Sequence, residues 1–378
     1  MFAYSALSLP NALQYLLASL LWQKTPLVES PSLRFELRHE HGLSQSARPV
    51  FSDVRSPVEL APQEYTLNTR PLQIYKPTLH ANLSSDQIRG LSFVPWNALD
   101  TEGPDVRDRE TLLMLAKMAN NAYQEPADKE WYHIGSDWNS SYPFGWEPNA
   151  DGLRGHIFAT PDNSTVVITV KGTDTGWLTG GGGPTLDLLG PQYAIVMKVV
   201  TSVIKNLYYN VSYMYPSADI WLVGHSLGGS LASLIGVTFG APVVAFEAPA
   251  EKLAAQRLHL PSPPSTQHVT HVYHTADPIP MGVCNGVSSA CAIGGYAMET
   301  RCHLGNIIRY DTVSKLGWGV SVRNHGIRVI VDMLSAEWDS DNPGAVPDLF
   351  EEEDCVDCFN WEFGHFRNAS VAACADNV

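Results

Sequence analysis

The segment that decides the fold is Asp219-Ile-Trp-Leu-Val-Gly-His-Ser-Leu-Gly-Gly229. Its first five residues form a short apolar run typical of a buried strand, and residues 227–239 are rich in Ala, Ser and Leu and predict a helix. The pattern Gly-x-Ser-x-Gly lies at the turn between them, where Gly224 and Gly228 lack the side chains that would clash with the neighbouring strand and helix. The segment therefore predicts a strained elbow with Ser226 exposed at its tip. The alternative is a glycine-rich turn with an incidental serine.

Apolar runs alternate with helical patterns on both sides of this elbow. Continuous apolar strands that alternate with helices predict a mostly parallel sheet with helices on both faces, and with the elbow this is the α/β-hydrolase fold. We expect the catalytic domain to span residues 106–340. The predicted strands are 156–159, 165–171, 219–223, 242–246 and 271–274, and the predicted helices are 110–123, 193–207, 227–239 and 326–338.

The two ends of the chain do not follow this alternation. Residues 23–105 are rich in Pro, Ser and His, and we expect an irregular N-terminal region; residues 341–378 predict an acidic, Cys-containing extension. Residues 1–22 are mostly apolar but lack a preceding basic residue. They could be a signal anchor, a degraded signal peptide or an ordinary buried helix.

The charge balance excludes several function classes. The 378-residue chain has 24 Lys and Arg against 39 Asp and Glu, for a formal charge of −15. A basic nucleic-acid binder is therefore not expected, because there is no cationic surplus to neutralise phosphates. Beyond the N-terminus no apolar run approaches the length of a membrane span, so a protein with several spans is not expected either.

Cysteines and glycosylation acceptors indicate a lumenal or extracellular chain. Six cysteines suit disulfides, although six allow 15 pairings and the connectivity stays open. The alternatives are incidental acceptors in a cytosolic protein and a metal bound at Cys355 and Cys358. The cysteines are Cys284, Cys291, Cys302, Cys355, Cys358 and Cys374, and the Asn-x-Ser/Thr acceptors are Asn82, Asn139, Asn163, Asn210 and Asn368.

A serine hydroxyl needs a base and an orienting carboxylate, in the chain order Ser, Asp, His for this type of elbow. Asp277 follows a β-like run at the expected carboxyl edge of the sheet, although an Asp before Pro can also be only a turn residue. Of the downstream histidines, we favour His325, in a loop before the last helix, over His303 and His365. His225 is expected to point away from Ser226 and to pack or face substrate.

The predicted oxyanion hole uses two backbone N–H groups. One is that of Leu227, directly after the serine; the other is assigned to Thr173, in the loop after strand 165–171. The apolar side chains between residues 174 and 190, with Gly180 to Gly183 as a hinge, suggest a mobile cover over the site. The alternative is a flexible surface loop.

Several stretches resemble the class-three lipases, and in particular their fungal autophagy-related members, over roughly residues 105–360. They are Lys171-Gly-Thr, Trp221 to Gly229, Arg257-Leu-His-Leu-Pro-Ser-Pro-Pro264, His274-Thr-Ala-Asp-Pro278 and Gly294-Gly-Tyr-Ala-Met-Glu299. Matched motif to motif, the resemblance implies Ser226 as nucleophile, Asp277 as acid and His325 as base. It also implies a glycosylated, single-pass type II membrane protein that travels from the endoplasmic reticulum through multivesicular bodies to the vacuole.

The resemblance implies a serine lipase or phospholipase that hydrolyses membrane glycerolipids of autophagic bodies and intravacuolar vesicles. Such a mechanism needs no metal and no organic cofactor. Phospholipid or neutral-lipid membranes are the expected substrate, and nucleic acid is not. The alternatives are a secreted esterase on soluble or cell-wall esters, and a non-catalytic lumenal membrane-binding protein.

Overall fold

The residues that the computed structural model describes lie in the unit Ser32–Val378. Several predictions fall outside its described residues, among them the 1–22 segment, the 174–190 cover, Thr173 and the acceptors Asn82, Asn139 and Asn368. The described residues are 33, 35–43, 49–53, 67–77, 96–125, 128–134, 154–172, 192–283, 301–336, 345–352 and 354–355.

A nine-stranded sheet forms the centre of this unit, in the order β11-β10-β9-β8-β7-β6-β5-β1-β2. Strands β6 to β10 are parallel, and the strands at both ends join antiparallel. The central parallel part confirms the predicted α/β-hydrolase fold. Its strands are β1 (Glu36–Leu43), β2 (Pro49–Asp53), β5 (Arg154–Ala159), β6 (Thr165–Val170), β7 (Asp219–His225), β8 (Val243–Phe246), β9 (Val269–His274), β10 (Asn306–Tyr310) and β11 (Phe350–Glu351).

Helices connect the successive parallel strands from β6 to β9. The helix predicted over residues 227–239 is found at those bounds, and the other three predicted helices differ only at their ends. The helices are α1 (Arg109–Asn121), α2 (Gln192–Met214), α3 (Leu227–Phe239), α4 (Lys252–Arg257), α5 (Thr312–Leu316) and α6 (Ile327–Ser335), with a short 3₁₀ helix at Val322–His325.

Alternating side chains of β7 show that helices cover both faces of the sheet. Trp221 and Val223 belong to one buried apolar cluster, which also contains Leu112 of α1 and Ile330 of α6. Leu222 points to the opposite face, into a second cluster built with α2 and α3. Burial on both faces explains why the central strands are continuous apolar runs.

The expectation of an irregular region over residues 23–105 is wrong where the structure describes it. β1 and β2 extend the main sheet through β5, and β3 (Thr69–Pro77) pairs antiparallel with β4 (Trp96–Pro104) in a separate two-stranded sheet. The polar composition hides these strands, because β1 carries buried polar residues such as Glu40 and His41 where an apolar pattern would be expected.

The acidic C-terminal extension is attached to the domain rather than solvated along its whole length. β11 pairs with the edge strand β10, and Cys355 forms a disulfide with Cys302. The disulfide confirms the expectation of paired cysteines for this pair and excludes the alternative of a metal held by Cys355 and Cys358. The other four cysteines lie outside the described residues.

Two of the glycosylation acceptors lie in the described part. Asn163, in the turn between β5 and β6, and Asn210, on α2, are both exposed to solvent. None of the helices in the described part of the chain has the length and apolar character that a membrane crossing requires.

Candidate active site

The predicted elbow is present between β7 and α3, but Ser226 at its tip is buried and not exposed as predicted. Ser226 has φ 56° and ψ −132°, a left-handed φ that strains any residue with a Cβ, and α3 begins at the next residue. Its N–H donates to the carbonyl of Phe246 at the end of β8, at 2.9 Å. The strain is held in place by the neighbouring strand and helix, as expected of a functional turn.

Two glycines allow the elbow to close. A Cβ added to Gly224 would lie 2.3 Å from the carbonyl oxygen of Gly228, and one added to Gly228 would lie 2.2 Å from the carbonyl oxygen of Val170. Both distances are far shorter than real Cβ contacts, and both contacts are to backbone, which cannot rotate away as a flexible side chain can. Both positions therefore require glycine to keep this backbone arrangement.

Replacing Gly224 with Ala should therefore lower the free energy of unfolding by about 3 kcal/mol, because backbone must shift to admit the methyl group. The matched control is Gly319→Ala, since a Cβ there meets nothing within 4 Å. It should change the free energy of unfolding by less than about 0.5 kcal/mol. Urea unfolding of both variants checks this, and equal small losses would contradict the packing argument.

The three predicted residues meet at the carboxyl ends of the parallel strands. Ser226 follows β7, Asp277 follows β9, and His325 ends the 3₁₀ helix before α6. His325 Nε2 lies 2.7 Å from Ser226 Oγ, and His325 Nδ1 lies 2.6 Å from Asp277 Oδ2. Because the carboxylate can only accept, Nδ1 carries the proton and Nε2 is left with a lone pair facing the serine hydroxyl.

Asp277 is held as a carboxylate in spite of its burial. It is 0% exposed, and burial alone would raise its pKa. The interaction with His325, which donates a hydrogen bond to the carboxylate, and the hydrogen bond from the N–H of Ile279 outweigh burial and lower the pKa of Asp277 below its ordinary value. A permanent negative charge is thus available behind the imidazole.

A chain of hydrogen bonds links the loop after β6 to the base. The N–H of Gly172 donates to Tyr123 Oη at 2.9 Å, and Tyr123 Oη lies 2.7 Å from His225 Nδ1. His225 Nε2 in turn lies 2.7 Å from the carbonyl of His325. Burial and the neighbouring His325 lower the pKa of His225 to about 3, so the ring is neutral and each bond has one donor.

His225 therefore points away from the serine hydroxyl and packs, as predicted. Tyr123 was not singled out by sequence reasoning. It follows α1 far from the elbow in sequence, and no motif around it indicates its contacts.

The oxyanion hole is described in part. The N–H of Leu227 is the first of α3, and the first N–H groups of a helix have no acceptor within it. Gly172 runs directly against the elbow, since a Cβ on it would lie 2.8 Å from Ser226 Cβ. The loop after β6 therefore lies beside the elbow, where a second donor is needed. Thr173 itself lies outside the described residues.

His303, which we did not favour as the base, lies in a different environment from His325. It is buried, with Nε2 3.3 Å from the carbonyl of Ala248 and Nδ1 3.4 Å from Glu352 Oε2. Burial opposes its charge, but the hydrogen bond that His303 donates to Glu352 and the charges of Glu251 and Glu352 raise the pKa of His303 above the ordinary value. His365 lies outside the described residues.

A buried serine, an imidazole and a carboxylate in hydrogen-bonded order define a serine hydrolase of the α/β-hydrolase class. The model of the family Lipase (class 3) matches residues 190–284, which span the elbow and Asp277. A protein from Cryptococcus neoformans named "Putative lipase ATG15" is 40% identical over 368 residues, covering 72% of this chain and 70% of the relative. The chain belongs to this family of fungal class 3 lipases.

Other relatives and solved structures are similar over shorter stretches. A Mycosarcoma maydis protein of the same name is 42% identical over 288 residues, covering 64% of this chain and 55% of its own length. The crystal structure of a mono- and diacylglycerol lipase from Aspergillus oryzae is 17% identical, with a TM-score of 0.32, over 53% of this chain and 78% of that one. The fold assignment follows from the sheet order and does not depend on that overlap.

Proposed function

We propose that this chain hydrolyses ester bonds of membrane glycerolipids by acyl transfer through Ser226. The observation that carries the proposal is the unbroken line from Ser226 Oγ to His325 Nε2 at 2.7 Å and from His325 Nδ1 to Asp277 Oδ2 at 2.6 Å. Both distances are within hydrogen-bonding range, so the base reaches the proton it must remove without any movement.

The chemistry follows from these contacts. His325 Nε2 takes the Ser226 proton as the serine oxygen attacks the ester carbonyl, and Asp277 stabilises the imidazolium that forms. The N–H of Leu227 lies where the negative charge develops on the carbonyl oxygen. His325 then protonates the departing alcohol, and water repeats the sequence on the acyl-serine to release the fatty acid.

The proposal includes where the enzyme works. We place it on the lumenal side of the endoplasmic reticulum, multivesicular bodies and vacuole, as a single-pass type II membrane glycoprotein that degrades autophagic bodies and intravacuolar vesicles. The disulfide between Cys302 and Cys355 and the exposed acceptors Asn163 and Asn210 support a lumenal chain, because disulfides persist in oxidising compartments.

The test is fatty-acid release from phospholipid vesicles, measured in parallel with hydrolysis of a soluble short-chain ester. We expect release from vesicles, and none above background with Ser226→Ala. Activity on the soluble ester alone would replace the proposal with a secreted esterase. No activity on either substrate, with no labelling of Ser226 by a fluorophosphonate, would favour a non-catalytic membrane-binding protein.

A further inference from the structure

Glu247 is a buried carboxyl group that the mechanism above leaves without a role. It directly follows β8, between the strand ends that present Ser226 and Asp277, and it is 0% exposed. Its backbone has φ +45°, in the left-handed region that is costly for a residue with a Cβ. A strained, fully buried glutamate next to a catalytic centre calls for a functional reason.

The carboxyl group of Glu247 lies close to Asp277 and His325. Its Oε1 accepts the N–H of His274 at 3.1 Å, whereas Oε2 meets no donor among the described residues. A carboxyl oxygen of Glu247, one of Asp277 and a ring nitrogen of His325 all lie within 4.8 Å of one another. A buried carboxyl group that lies this close to a second carboxylate and has one oxygen without a donor is explained if the glutamate carries a proton.

Two adjacent buried carboxyl groups cannot both be ionised, because each charge penalises the other in a dry environment. Burial first, and then the charge of Asp277, raise the pKa of Glu247 well above its ordinary value. The pKa of Asp277 is lowered instead, because it pairs with His325. The proton of the pair therefore belongs to Glu247.

We propose that Glu247 is a positioning residue of this site: it keeps its proton, donates it in a hydrogen bond to Asp277, and so makes His325 harder to protonate. The inference rests on the proposed function of Ser226 and His325. A carboxylate that already accepts a hydrogen bond from a neutral acid attracts an imidazolium less strongly than a bare carboxylate does. The base then remains neutral, and competent, at a lower pH than it would without Glu247.

The other titratable groups around His325 should not mask the effect of Glu247 on the protonation of His325. His225, at the end of β7, has its pKa lowered to about 3 by burial and by His325. His274, at the end of β9, has its pKa lowered chiefly by burial, and its Nε2 lies 3.2 Å from the carbonyl of Asn324. His274 Nε2 also lies 3.7 Å from Glu247 Oε1. The lowered pKa values disfavour a positive charge on both rings, and the carboxyl groups of Asp277 and Glu247 are the described acidic groups beside the base.

Two variants of the full chain separate hydrogen bonding from packing, with kcat/KM for a soluble ester as the readout against pH. Glu247→Gln keeps a neutral donor, so the acid limb of the profile should stay within about 0.2 pH units of wild type. Glu247→Leu removes the donor, so the acid limb should move to higher pH by about 0.5 to 1 unit. A uniform loss of activity in Glu247→Leu, with the limb unmoved, would overturn the proposal.

Infrared spectra test the proton itself without any assay. At pH 7 in D₂O, the wild-type minus Glu247→Gln difference spectrum should contain the C=O stretch of a neutral carboxylic acid. The difference is required because burial, together with the charge of Glu125, raises the pKa of Glu40 to about 7, which gives a band of its own. No such band would overturn the proposal even if Glu247→Leu failed to fold. If the band is present but the wild-type chain hydrolyses no ester, the proposed function is refuted and the inference about the proton of Glu247 is not.

Discussion

Replacing Ser226 with Ala should lower kcat/KM for ester hydrolysis by roughly 10⁴-fold or more, measured on a soluble ester and on phospholipid vesicles. The alanine removes the oxygen that would form the acyl-enzyme, and among the described residues Ser226 Oγ is the hydroxyl that contacts His325 Nε2. The oxyanion donors and the fold remain, so a small rate above the uncatalysed reaction should persist. A fluorophosphonate probe should label the wild type and not the variant.

The control for this variant is Ser230→Ala, one turn further along α3. Ser230 is also buried, but its hydroxyl donates to the carbonyl of Pro249 and not to the base. Its loss should cost about 1 kcal/mol of the free energy of unfolding and leave kcat/KM within about threefold of wild type. If Ser226→Ala kept more than about a hundredth of the wild-type activity, the nucleophile would have to be another residue.

The sequence predicted correctly those strands and helices whose side chains are almost all buried among apolar neighbours. β7 is buried on both faces and α3 packs tightly on the sheet, so both have compositions that depend little on distant partners. β1 could not be recognised, because Glu40 and His41 occupy buried positions and make contacts that only the folded chain brings together. β10 (Asn306–Tyr310) could not be recognised either, because it is a short run and the sequence on either side of it has no clear helical pattern.

The same distinction applies to the candidate site. Ser226, Asp277 and His325 could be placed because their order and their positions after strands follow from the chemistry of the elbow. Tyr123 and Glu247 could not, since their roles depend on contacts between segments far apart in the sequence. For Glu247 a weak indication existed: an acidic residue directly after a buried strand lies at the edge of the sheet where the site is built.

Replacing Asp277 with Asn should lower kcat for ester hydrolysis by about 10⁴-fold while the chain stays folded. The carboxylate now accepts the Nδ1–H of His325 at 2.6 Å and so fixes the tautomer in which Nε2 can take the serine proton. An amide can donate to Nδ1, which places the proton on Nε2, where it blocks the base. The variant also removes the charge that stabilises the imidazolium in the transition state.

Asp311→Asn is the control that separates this effect from a general change of charge at the same edge of the sheet. Asp311 is the N-cap of α5 and accepts the N–H of Ser314, and asparagine caps helices as well as aspartate does. Its kcat should remain within about twofold of wild type. Circular dichroism and fluorophosphonate labelling should then show Asp277→Asn folded but slow to react. Tautomer control requires the contact that Asp277 makes with His325, which Asp311 does not make. An equal loss of kcat in both variants would therefore mean that Asp277 acts only through its charge.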